Sequence, residues 1–112
     1  MVRTAVITIL ALLICCVPLQ AQWQAAKDAR IHNENVRHNS VLVEMNYRRA
    51  DAKRELKRNE DTCAGDQHCL YVQRINYYRT KDEIDAQTAH ENAVHEQLLK
   101  DIDAAYRREE SQ

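Results

Sequence analysis

Glycine, proline and phenylalanine are almost missing from this 112-residue chain, which has one Gly, one Pro and no Phe. A sheet protein needs frequent turns and draws on β-branched and aromatic residues. With so few turn residues and only 5% aromatics, sheets are disfavoured. An excess of either charge is missing too, since 16 basic residues stand against 17 acidic ones. They are interspersed, leaving no basic stripe to neutralise a phosphate backbone, so nucleic acid is not an expected partner. There is no Gly-rich phosphate loop, no paired-carboxylate cleft, no defensible Ser-His-Asp set and no Cys-x-x-Cys spacing. An enzyme is therefore the least supported class, and no cofactor is expected.

What is present is charge, at 29% of residues, together with abundant Ala, Gln, Glu, Arg and Leu. These residues lose little freedom in a helix, and the expected class is all-α.

The amino terminus has a different composition. One positive charge at Arg3 is followed by an uncharged apolar run over residues 4–17 and then by Pro18-Leu19-Gln20-Ala21. A basic start, an apolar middle and a small residue at the cut site make the layout of a secretory signal. Residues 1–21 are read as a signal peptide cleaved after Ala21, and residues 22–112 as the folded part. The alternative keeps the segment as a membrane anchor, although a full span needs about 20 apolar residues. In that form, a short apolar start followed by a charged helical rod resembles the phage inner-membrane spanins. The resemblance implies an anchored rod that acts in lysis.

Cys15 and Cys16 lie in the export segment, which leaves Cys63 and Cys69 in the folded part. A pair in an exported chain is read first as a disulfide. Both flank a turn-rich stretch that contains Gly65, the only glycine. Helix 1 is expected over about residues 23–60, a turn over 61–67 and helix 2 over about 68–109. The fold is thus a long, coiled-coil-like antiparallel helical hairpin with a disulfide-stapled turn.

Each helix carries a row spaced four and three residues apart, as along a coiled-coil seam. In helix 1 the row is Ile31, Asn35, His38, Leu42, Met45, Arg49, Ala52 and Leu56; in helix 2 it is Tyr77, Lys81, Ile84, Thr88, Glu91, His95, Leu98, Ile102 and Ala105. Reversal at the cysteine turn pairs residues whose numbers sum to about 132 or 133, which sets His38 against His95 and Ile31 against Ile102. This seam holds many polar residues, and two helices alone bury little. A second apolar row in helix 1, with Val36, Val43 and Tyr47 about a third of a turn away, and a weaker one in helix 2 with Tyr78, mark surfaces for a protein partner or a second copy. Trp23, Tyr71, Tyr77 and Tyr78 are candidate anchors for a partner, and packing beside the disulfide accounts for the tyrosines equally well.

The sharpest group of polar residues is His38, Glu91 and His95. Two imidazoles and a carboxylate suit a first-row metal ion, and two facing histidines suit a pH sensor because they repel once both are protonated. The clusters Arg48-Arg49 and Lys53-Arg54 alternate with Glu44, Asp51 and Glu55 and read as half of an intrahelical ion-pair lattice. The expected function is a small secreted or periplasmic interaction protein that acts through its hairpin surface and is not catalytic. The alternatives are the anchored rod and a periplasmic metal-binding or pH-sensing protein. A membrane enters only if the first segment is retained.

Overall fold

The computed structural model describes residues 18–110, with side chains through Arg107. Residues 1–17, and with them most of the expected export segment and Cys15 and Cys16, lie outside the described residues. Leu19, Gln20 and Ala21, the end of that segment, form the first turn of a helix. Among the described residues no helix is long and apolar enough to cross a membrane.

Two helices of 44 residues each, α1 (Leu19–Thr62) and α2 (Gln67–Glu110), form an antiparallel hairpin. Neither contains Gly or Pro, so nothing interrupts the hydrogen-bond ladder over about 66 Å of each. Pro18 stands just ahead of α1, where its missing N–H is no loss. Its carbonyl accepts from the Ala21 and Gln22 amides at 2.9 and 3.2 Å. The radius of gyration of 26.2 Å is about twice the ~13 Å of a compact domain near this size.

Both helices run a little past their expected ends, because the reversal needs only four residues between Thr62 and Gln67. Thr62 Oγ1 donates back to the Asn59 carbonyl at 2.7 Å. Ala64 and Gly65 then take left-handed backbone, with φ of 50° and 82°, and turn the chain round. Asp66 caps α2: its Oδ1 accepts from the His68 amide at 2.9 Å and from the Cys69 amide at 3.3 Å. Such a cap satisfies amides that the first helical turn leaves without partners. The Cys63–Cys69 disulfide, with Cα atoms 5.6 Å apart, closes this turn.

The seam follows the expected register, with one shift. Ile84 and Ile102 are buried and Tyr77, Thr88, Leu98 and Ala105 half-buried in α2, while Lys81 is exposed. In α1, Ile31, His38, Met45, Ala52 and Leu56 face inward, but Asn35 points to solvent and Glu34 takes its place. A carboxylate is expensive to bury alone, and the pattern of residues does not show that Glu34 finds partners on the other helix. Moving the seam to Glu34 also turns the second α1 row further out. Val36 is two residues from both Glu34 and His38, and so lies about 200° from each at about 100° per residue. Val36, Val43 and Tyr47 thus face away from α2, by about half a turn rather than a third.

Among the described residues the buried apolar side chains are Cys63, Ile84 and Ile102. Polar contacts tie the helices along the rest of their length. Lys27 binds Asp103 at 2.9 Å. Arg49 reaches Asp85 at 3.2 Å and Thr88 Oγ1 at 2.8 Å. Arg48 donates to Gln87, and Arg74 pairs with Glu60 at 3.4 Å. Arg48 and Arg49 therefore bridge the helices, whereas Arg54 pairs within α1, with Asp51.

Candidate functional site

The most buried polar group in the seam is built from a short repeated pattern. Glu34-Asn35-Val36-Arg37-His38 in α1 and Glu91-Asn92-Ala93-Val94-His95 in α2 both read Glu-Asn-x-x-His. Four residues apart, Glu and His share one helical face. Because the helices are antiparallel, the Glu of each lies beside the His of the other. His38 Nδ1 is 3.1 Å from Glu91 Oε1, and His95 Nδ1 is 3.1 Å from Glu34 Oε1. An ionised carboxylate only accepts, so each Nδ1 carries the hydrogen and donates it. The two imidazoles stack face to face with centroids 3.9 Å apart and planes 6° from parallel.

Arg37 breaks the near-symmetry, since the matching position in α2 is Val94. Its guanidinium spans both carboxylates. Nε and Nη2 donate to Glu34 at 2.9 and 2.7 Å, and Nη1 and Nη2 donate to Glu91 at 3.2 and 2.7 Å. Paired N–H groups that match a carboxylate edge make strong, directional contacts. These hydrogen bonds hold the Glu34 carboxyl well down, from 4.5 to about 2, against burial, which acts the other way; His95 adds to the lowering. Glu91 is held below the ordinary carboxylate range first by Arg37 and then by His38. In return, the two carboxylates push the Arg37 pKa upward. No buried side-chain nitrogen or oxygen among the described residues lacks a hydrogen-bond partner.

His38, Glu91 and His95 thus come together as the sequence implies, but not as a chelate. Parallel stacked rings direct their in-plane lone pairs along separate planes, both Nδ1 atoms are engaged by carboxylates, and Glu91 is clasped by Arg37. Among the described residues no group of three or more His, Cys, Asp or Glu side chains is placed to hold a metal ion. What the cluster does physically is fix register. Sliding one helix by a heptad would leave two buried carboxylates without their partners, a large penalty.

Glu34 and Arg37 were not among the residues singled out from the sequence. The signal for Glu34 was the repeated Glu-Asn-x-x-His; Arg37 had none, because it reaches the seam from a flanking position. The surface residues expected to meet a partner are all open to solvent: Val36 is 52%, Val43 67%, Tyr47 63% and Tyr78 60% exposed. Arg54 lies over the Tyr47 ring at 5.7 Å. The Tyr77 and Tyr78 rings meet at a 60° tilt with centroids 5.4 Å apart, and Tyr77 helps line a 280 Å³ recess with Ile84, Arg49, Lys53 and Lys81. Compared with protein-family models, with curated proteins and with solved structures, the chain matches none of them.

Proposed function

We propose that the chain is a small, non-catalytic interaction protein that acts outside the cytoplasm, secreted or periplasmic, through the outer surfaces of its hairpin. One observation carries this reading: among the described residues, three buried apolar side chains stand against eight large exposed ones, which include Val36, Val43, Tyr47, Tyr71 and Tyr78. Single exposed apolar residues are ordinary, but rows of them along a helix mark a surface that meets a neighbour. The Cys63–Cys69 bond favours an oxidising compartment. Chemical cross-linking in the native compartment, followed by size determination, tests the reading. A cross-linked species whose yield falls when Val43 is replaced by Glu is expected; a strict monomer with no cross-linked partner would overturn it.

The stacked pair favours a second reading, pH sensing. With neutral imidazoles, Glu34, Glu91 and Arg37 leave the cluster one negative charge; a proton on each of His38 and His95 would set two cations face to face. A helix content and melting temperature that stay level between pH 7.5 and 5, in parallel with a His38→Gln, His95→Gln control, would remove this reading.

A further inference from the structure

The outward face of α1 is unlike the other surfaces of the hairpin. Over residues 25–50, the strip of α1 directly opposite the seam, through Ala29, Val36, Val43 and Ala50, holds no Asp, Glu, Lys or Arg, while Asp28, Arg30 and Glu44 are exposed along its edges, in a chain that is 29% charged. Just beyond, Arg54 and Lys57 occupy the same side of the helix. The outer groove of α2 is lined by Arg79, Asp82 and Glu83 along with Ile75 and Tyr78. A solvated helix strip of about 38 Å without a charge is made for contact.

Its order of residues says what covers it. At seven-residue spacing the centre of the face reads Ala29, Val36, Val43, Ala50, the same in both directions. Along one flank, again seven apart, run Arg30, Arg37, Glu44 and Asp51, two bases followed by two acids. In a parallel neighbour of the same sequence this flank would meet the opposite flank of the other copy, with no complementary charges to pair. An antiparallel one sets the basic half beside the acidic half.

We infer that this face binds a second copy of the chain, α1 against α1 and antiparallel, about a two-fold axis that passes between Asn39 and Ser40. Val36 of one copy meets Val43 of the other, and Ala29 meets Ala50. Small residues at the ends let the helices approach closely, and Val and Tyr47 fill the centre. Arg30 of each copy lies beside Asp51 of the other, while Arg37 stays on Glu34 and Glu91 within its own hairpin. Such an isologous contact closes on itself and stops at a dimer. The two hairpins then form a four-helix layer with both α2 helices outermost. The inference rests on the interaction reading above and names its partner.

Sedimentation equilibrium on the full-length chain, purified with the Cys63–Cys69 bond intact, is the test. The unsubstituted chain is expected to be a dimer. Val43→Glu and Val36→Lys each bury unpaired charges at two places and weaken the dimer by about a hundredfold or more. Both positions are open to solvent in the hairpin, so circular dichroism should show unchanged helix content. The combined variant places Lys at 36 opposite Glu at 43 twice and regains the dimer. A wild-type monomer, a dimer insensitive to either single change, or a double variant that stays monomeric would each overturn the inference. A monomer that cross-links to a foreign protein in its compartment would sink the inference alone; a monomer with no partner would sink the interaction reading as well.

Discussion

His38 and His95 stack face to face across the seam with centroids 3.9 Å apart, and each hands its Nδ1 hydrogen to the carboxylate that lies one helical turn before the other. The contact exists because two Glu-Asn-x-x-His segments run in opposite directions. In a hairpin with so little apolar core, this cluster is the part least tolerant of a slip in register, since its carboxylates are nearly out of water and Arg37 alone bridges them.

Acid should unfold the hairpin through its two buried carboxylates. Glu34 titrates at about 2 in the fold against 4.5 in an ordinary environment, and Glu91 is lowered as well. A lowered folded value means the unfolded chain binds protons first, so the stabilisation is complete above about pH 4.5 and is lost as pH falls toward 2. Thermal melts followed by circular dichroism between pH 7 and 2 check this. Glu34→Gln should flatten the fall, and a wild-type profile level down to pH 2 would contradict it.

Replacing Arg37 with Met keeps much of the stem but strands both carboxylates. The urea midpoint should drop, and adding Glu34→Gln and Glu91→Gln should restore part of the loss. If the triple variant is no more stable than Arg37→Met alone, the guanidinium is not acting through the carboxylates.

Removing the staple should weaken the fold without changing it. A loop of this length is worth about 2 kcal/mol on the chain-entropy account. With Cys63→Ser and Cys69→Ser together, the Asp66 cap and the left-handed pair at Ala64 and Gly65 still direct the reversal. Unfolding free energy should fall by about that amount, with helix content kept in the cold; loss of the helical signal at low temperature would show that the bond is required to form the turn.

Opposite signs are expected at the two neighbouring turn residues. Gly65→Ala puts a Cβ in the left-handed region, with nothing within 4 Å to collide with, so only the backbone penalty of about 1–2 kcal/mol remains. Ala64 already bears such a penalty at φ 50°, and Ala64→Gly should stabilise by about 0.5 kcal/mol after the entropy of the unfolded glycine is subtracted. Denaturant titration of both variants measures the pair of signs; a destabilised Ala64→Gly would contradict the account.

The helices, the turn and the pairing of His38 with His95 were legible in the sequence for local reasons. Gly and Pro are absent from both long stretches, the one glycine falls between two cysteines, and rows spaced four and three share a helical face however the chain is packed. The place of Glu34 was not legible. By composition Asn35 suits a seam better than a carboxylate does, and Glu34 becomes an acceptable seam residue only when Arg37 and His95 meet it.

The arrangement of His38, Glu91 and His95 was not legible for a related reason. Spacing brings the three side chains to one place, but whether two imidazoles converge on a point or lie flat against each other depends on how their Nδ1 atoms are held, and carboxylates on both helices hold them parallel. By itself the sequence determined what acts within a few residues along the chain: helix, reversal and staple. Tertiary structure decided which charges sit out of water, because burying Glu34 and Glu91 also depends on partners on the other helix that are 53 to 61 positions away and meet only once the helices are packed.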